Sequence, residues 1–235
     1  MHHVHLDQWS RGSSPLHDRD PRAKILTLLV FLIVLATTPA NAALALGIYA
    51  VLLLSGMLIA GLPVWSLFAR ALVVLPFSLT FGLISWLAGD PLRALGLIEK
   101  SYLSAVGVLL VVGTTPLPAL LRGLERMGTP RMLTLVAQFL YRYLFVISEQ
   151  AQHMRLAARC RQGPGGERRA RFRAAAGALA VLFARSYQRA DGIHRAMLAR
   201  GFSGCFPLLH SLRFRPADAV FTGLVATLLV LVRIQ

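Results

Sequence analysis

Two short stretches set arginine among small residues just before a glycine: Ala158-Arg159-Cys160-Arg161-Gln162-Gly163 and Ala199-Arg200-Gly201. A guanidinium is a planar fork that pairs with carboxylates through two hydrogen bonds, and small flanking residues let it enter a groove. Two such tips, 41 residues apart, suit two partner subunits. The plainer reading is helix capping, with glycine in the left-handed position and arginine against the negative end of the helix dipole. The residues alone allow both.

Other chemistry-bearing residues point elsewhere or nowhere. His2, His3 and His5 are of a metal-ligating type, but three histidines in an exposed tail are more often incidental, and no metal site is assigned. His153, His194 and His210 lack ligand spacing. Cys160 and Cys205 form no CxxC pair, which excludes a disulfide framework and disfavours a cysteine zinc site. Asp20-Pro21 reads as a helix start, N-cap then proline at the first helical position. Arg22 and Lys24 are expected to snorkel to lipid headgroups. Arg168, Arg169, Arg171 and Arg173 form a dense cluster that reads as a solvated or phospholipid-facing surface. Nucleic acid is not expected, since no free aqueous domain of a recognised fold is visible. GxxxxGK[ST], HExxH and GxSxG motifs are absent.

The elements that position these residues follow from where charge is missing. The 235 residues are 56% hydrophobic, yet carry a formal net charge of +15, with a mean hydropathy of +0.61. No charged residue occurs from Ile25 to Ala69, a 45-residue run that as helix measures about 67 Å. A bilayer core is about 30 Å thick, so this is two passes, broken at Thr37-Thr38-Pro39-Ala40-Asn41. The expected spans are Lys24 to Thr38, Ala42 to Ala60, Ala71 to Gly89 with a kink at Pro76, Ser101 to Leu121 ending near Pro116, and Ala217 to Ile234. Met132 to Ser148 holds nine Leu, Ile, Val or Phe residues, worth about −4 kcal/mol for insertion, but Arg142 costs about +3 kcal/mol. It is not counted as a span. With the N-terminus inside, 22 basic residues lie on the cytoplasmic side and three outside, so the expected topology is N-in, C-out.

The chain thus divides into a cytoplasmic N-terminal segment (1–22), a four-helix membrane region (23–115), a cytoplasmic or interfacial coupling-helix region (116–216) and a C-terminal transmembrane helix (217–235). The third region carries 17 arginines against four acids. Its apolar residues recur at helical spacing, as in Leu117, Leu120, Leu121, Leu124 and Met127, and in Phe172, Ala176, Leu179, Phe183, Tyr187, Ala190, Ile193 and Met197. Long amphipathic helices, each with one apolar stripe, are expected here. Thr129-Pro130 should start one of them.

Three patches resemble the transmembrane T component of energy-coupling factor (ECF) transporters, the CbiQ-like family. Ser14-Pro15-Leu16-His17-Asp18-Arg19-Asp20-Pro21-Arg22-Ala23-Lys24 is similar to its N-terminal "SPLHxLDPRxK" pattern. Arg185-Ser186-Tyr187-Gln188-Arg189-Ala190, with Ala196-Met197-Leu198-Ala199-Arg200-Gly201-Phe202-Ser203-Gly204, resembles "RSxxRA…AMxARGFxG". Ala158-Arg159-Cys160 is a looser match, because cysteine stands where the family more often has Arg or Gly; Arg159 and Arg161 are both candidates for the first docking arginine. The resemblance implies an all-α integral membrane protein of about five spans in the bacterial cytoplasmic membrane. It also implies a non-catalytic subunit that bridges two cytoplasmic ATPases to a membrane substrate-binding subunit. The chain would bind no cofactor, ATP being held by the partners, and no metal. Ala158, Arg159 and Cys160 would dock one ATPase, and Ala199, Arg200 and Gly201 the other. The spelling of the second tip resembles cobalt systems most; nickel and vitamin T components are the alternatives. An integral-membrane lipid-modifying enzyme is the rival of another class, disfavoured because the spans hold no carboxylate or histidine at depth.

Overall fold

The computed structural model describes residues 9, 12, 14–39, 42–162, 168–204 and 216–234. All regular structure among them is helical: α1 (Pro21–Thr37), α2 (Ala43–Ala60), α3 (Val64–Ala71), α4 (Leu75–Leu87), α5 (Pro91–Thr114), α6 (Leu117–Arg126), α7 (Arg131–Gln162), α8 (Arg168–Ala199) and α9 (Pro216–Ile234). The all-α expectation holds. Two compact units emerge, Met1–Thr134 with Leu212–Gln235, and Leu135–Ser211.

In the first unit, α1 and α5 run antiparallel in a fixed register. Lys24 meets Thr114, Phe31 meets Gly107, and Lys100 meets Thr38. Each seven-residue step along α1, about two turns, is matched by seven residues back along α5. The close approach at mid-helix needs glycine: a Cβ on Gly107 would lie 3.1 Å from the Phe31 ring. Phe31 in turn sets its edge against Tyr49 of α2, with ring centroids 6.1 Å apart. Leu35, Tyr49, Met57, Leu67, Val106 and Leu229 complete a core shared by α1, α2, α3, α5 and α9.

The ends of these helices follow from local chemistry. Asp20 Oδ1 accepts from the Arg22 N–H at 2.9 Å, and Pro21 begins α1 where its missing N–H costs nothing. α2 closes on Gly61 at φ +65°, where Gly61 N–H donates to Leu58 O and Leu62 N–H to Met57 O. Pro76 leaves the Leu72 carbonyl without its helical donor, and a 3₁₀ turn at Leu72–Val74 joins α3 to α4. That is the kink expected at this proline. α7 begins at Arg131, and Thr129 instead closes α6 by donating its N–H to Leu124 O.

Two spans differ from expectation. α5 begins at Pro91, ten residues before the uncharged run, because Arg93, Glu99 and Lys100 are all accommodated within the helix. Lys100 is held by donating Nζ to Thr38 O. Among the described residues, four stretches are long and apolar enough to cross a membrane: Val64–Leu87, Pro91–Thr114, Arg131–Arg161 and Pro216–Arg233. The third was not counted from sequence; its helix runs 32 residues, about 48 Å, and Arg142 is exposed on it with its guanidinium 5.9 Å from the Tyr143 ring centroid. α1 has 17 residues and the apolar Leu44–Ala60 is also short of full bilayer length.

Candidate functional site

The second tip can be followed atom by atom. At the end of α8, Gly201 N–H donates to Leu198 O at 3.0 Å and Phe202 N–H to Met197 O at 3.0 Å. Gly201 has φ +73° and Gly204 φ +85°, backbone that side-chain-bearing residues reach at a cost. This is the glycine cap of a Schellman motif, with Met197 supplying the closing carbonyl and Arg200 as the capping residue. Met197 and Phe202 are half-buried at the positions where that motif sets an apolar contact. The capping reading is therefore correct for the backbone. It does not consume the side chain: Arg200 is exposed and has no ion pair or carbonyl partner among the described residues. Ala199 and Gly201 beside it are exposed too.

The first tip is the end of α7. The helix extends through Ala158, Arg159, Cys160 and Arg161 to Gln162, and the glycine-rich segment expected to stop it, Gly163 to Gly166, lies outside the described residues. Ala158 is half-buried, while Arg159, Cys160 and Arg161 are exposed. Two residues apart on a helix means about 200° of rotation, so Arg159 and Arg161 face different grooves between α7 and α8. Arg161 lines a groove of about 890 Å³ with His153, Arg185 and Arg189; Arg159 lines one of about 420 Å³ with Arg155 and Arg171. The structure thus groups Arg185 and Arg189 with Arg161. Ser186 is turned inward on its own helix, its hydroxyl donating to Leu182 O at 2.8 Å.

The apolar stripe of α8 meets α7 only at its edge. Both grooves between the helices share Ala174 and Ala178, so α8 turns its small residues toward α7. Phe172, Phe183 and Tyr187 line neither groove and are 71–77% exposed, while Leu179, 66% exposed, edges the smaller one. No residue of α8 is buried. The expectation that the periodic faces would cover each other is met only at the edge: most of the large apolar residues of α8 are left exposed.

The N-terminal patch is structural and corrects a second expectation. Lys24 does not snorkel: it is 4% exposed, and its ammonium donates to His17 O (3.2 Å), Thr114 O (3.1 Å) and Thr115 Oγ1 (2.9 Å). It therefore caps the carbonyl end of α5, a site favourable for a cation. Arg22 does not reach outward either; its Nε and Nη2 are buried, near Asp20 at 3.9 Å. His17 donates Nε2–H to Trp9 O at 3.0 Å, which leaves Nδ1 to accept from the Ser14 hydroxyl at 2.7 Å. Arg70 covers the Trp9 ring at 4.1 Å, and Arg19 pairs with buried Asp218 of α9 at 3.4 Å. Asp20, Pro21 and Arg22 thus fix the start of α1, and Lys24 ties it to the end of α5. Sequence reasoning missed Lys100 and Asp218, both charges at the edge of apolar runs. That position was the available signal.

Among the described residues no group of three or more His, Cys, Asp or Glu is placed to hold a metal ion. His2, His3, His5, Cys205 and His210 lie outside them.

A helical bundle with its charged residues clamped at one end, and several helices long and apolar enough to cross a bilayer, define a multi-pass membrane protein. Residues 12–210 match the CbiQ family, described as cobalt transport protein, and the chain belongs to that family. It is 32% identical over 139 residues to the cobalt transport protein CbiQ of Rhodobacter capsulatus, covering 59% of this chain and 55% of that relative. It is 28% identical over 228 residues to the energy-coupling factor transporter transmembrane protein EcfT of Bacillus selenitireducens, covering 85% of this chain and 84% of the relative. Against EcfT of Acidaminococcus fermentans the identity is 28% over 251 residues, with 94% and 92% covered.

Proposed function

We propose that the chain is the transmembrane coupling subunit, the T component, of an ECF-type importer for cobalt ions. It joins two cytoplasmic ATPases, which bind the ATP, to a separate membrane subunit that binds the substrate, and it passes the motion of the former to the latter. The family match supports the transporter class, and the family description with the Rhodobacter relative supports cobalt over nickel or a vitamin. The observation that carries the coupling role is Arg200: exposed, unpaired and presented by a glycine-capped helix end. Ala158, Arg159 and Cys160 dock one ATPase, and Ala199, Arg200 and Gly201 dock the other. The exposed stripe of α8 from Leu179 onward offers the substrate-binding subunit an apolar surface. The 22-to-3 distribution of basic residues supports a cytoplasmic N-terminus, residues 116–216 on the cytoplasmic side and the C-terminus outside; in this reading Arg131–Arg161, though long and apolar enough to cross, stays on the cytoplasmic side because of Arg142. The chain itself is non-catalytic and binds no cofactor.

The test is replacement of Arg159 and Arg200, singly and together, by Ala and by Glu in the full complex. Removing one partner of a docked charge pair costs about 2–5 kcal/mol. Co-purification with the ATPase and cobalt uptake should both fall, most in the double variant. Full complex and full uptake in Arg159→Ala/Arg200→Ala would end the docking assignment. Parallel uptake of nickel by the unaltered complex would displace cobalt as the substrate.

A further inference from the structure

The first two turns of α8 hold a surface that the coupling role does not use. Arg168, Arg169, Arg171 and Arg173 are all exposed, and none has an acidic partner among the described residues. In the sequence between Glu149 and Asp191 the only acid is Glu167, against nine arginines. Within this quartet stands Phe172, 77% exposed. At about 100° per residue, Arg168 and Arg169 flank Phe172 on the helix surface, 40° and 60° to either side. A large aromatic side chain held in water between guanidinium groups is unfavourable twice over, through exposed apolar area and through repulsion among the arginines. A surface with anionic headgroups above an apolar layer relieves both: the phosphates take the guanidinium forks, and the ring enters the acyl boundary. By sequence, both ends of the unit that carries α8 return to the membrane unit, so such a surface is within reach.

We propose that the start of α8, through Arg168, Arg169, Arg171, Arg173 and Phe172, binds the anionic phospholipid surface of the membrane. Arg171 also lines the groove beside Arg159, whereas Arg168, Arg169 and Phe172 line neither groove, and the lipid readout below does not depend on the ATPase reading. Lipid charge then sets how firmly α8 is held at its first turns while its far end is free to engage a partner.

The experiment uses the full chain in nanodiscs, with Cys160→Ser and Cys205→Ser, and one label site, Ala176→Cys, one turn beyond Phe172 on the same face. An environment-sensitive fluorophore there reports burial in lipid. Nanodiscs of phosphatidylcholine alone are compared with discs containing phosphatidylglycerol, with brominated acyl chains as quencher. The expected result is a blue shift and quenching that require phosphatidylglycerol and weaken with salt. One kilocalorie per mole for each basic residue near an anionic surface corresponds to about a fivefold change in partition. Successive Arg→Gln changes at the four positions should therefore each weaken the phosphatidylglycerol response by about that factor. Arg→Lys at the same positions keeps the charge and should retain most of the response, which also shows that the altered helix still folds. No difference between the two lipids, or a Gln series that matches the unaltered chain, overturns the proposal. So does a response that single-stranded nucleic acid competes away at equal charge concentration, which would assign the patch to that polyanion.

Discussion

The glycine cap and the free arginine at the end of α8 form one device, and Gly201→Ala tests their connection. Gly201 sits at φ +73° with open space around the position a Cβ would take, so the substitution meets no clash and acts through the backbone alone. An L-residue in this left-handed region costs about 1–2 kcal/mol. Relief comes from opening the cap, which gives up the Gly201 to Leu198 and Phe202 to Met197 hydrogen bonds. If docking requires the closed cap, the competent fraction falls and the apparent affinity falls with it. A cost of about 1–2 kcal/mol bounds that loss at about five- to thirtyfold. Titration of purified ATPase into the full chain in nanodiscs reads the affinity, and hydrogen exchange at the Gly201 and Phe202 amides reads the cap. Gly201→Asn is the matched control, because asparagine tolerates the left-handed conformation and should restore most of the binding. If Gly201→Ala opens the cap by exchange yet binds ATPase as the unaltered chain does, Arg200 does not depend on its presentation and the reasoning fails.

Two further outcomes concern the frame. Lys24→Met keeps the volume but strands the Thr114 carbonyl and the Thr115 hydroxyl, each a loss of about 1–3 kcal/mol offset in part by removing a buried charge; a fall of about 5–10 °C in the thermal midpoint in detergent is expected, and an unchanged midpoint would remove Lys24 from the clamp. Gly107→Ala places a methyl 3.1 Å from the Phe31 ring, an overpacking expected to cost about 1–3 kcal/mol; Phe31→Leu in the same chain should recover part of that loss in thermal denaturation, and no recovery would mean the contact is not what limits residue 107.

Much of the bundle was legible because charge is excluded from lipid and helix ends carry local signals. Asp20-Pro21, Pro76 and Gly201 each act within a few residues of themselves, and each did in the structure what its type requires. What escaped was long-range. Lys24 and Thr114 are 90 residues apart in sequence, and nothing near Lys24 distinguishes a buried clamp from a lysine reaching for headgroups. Lys100 misled in the opposite direction: a charge at the end of an uncharged run read as the boundary of α5, whereas its hydrogen bond to Thr38 O lets the helix continue through it. At the tips, the alternation between capping and docking dissolved once backbone and side chain were seen separately. The face that α8 presents to α7 was hidden for another reason. Hydrophobic periodicity marks the largest apolar residues, whereas the residues lining both grooves toward α7 include the small Ala174 and Ala178.

A helix that buries so little must be stable for reasons of its own. α8 has no buried residue, only a half-buried row including Ala174, Ala178 and Leu182, so it draws little on the tertiary packing that stabilises most helices. Its sequence supplies the substitute: ten of its 32 residues are alanine, the best helix former, and most of its charges are arginine, which ranks close behind. Asp191 precedes Arg195 by four residues at 2.7 Å, the favourable order for a pair along a helix. The Schellman cap closes the end. These local terms make α8 a rod before any partner covers it, and that order of events matters for a coupling element. A helix that folded only on docking would lose part of its binding free energy to ordering, and an arginine at its tip would be presented only after the encounter it is meant to make. Intrinsic propensity along the rod and a rigid cap at its end place Arg200 in advance, while the exposed aromatic face waits for a second surface.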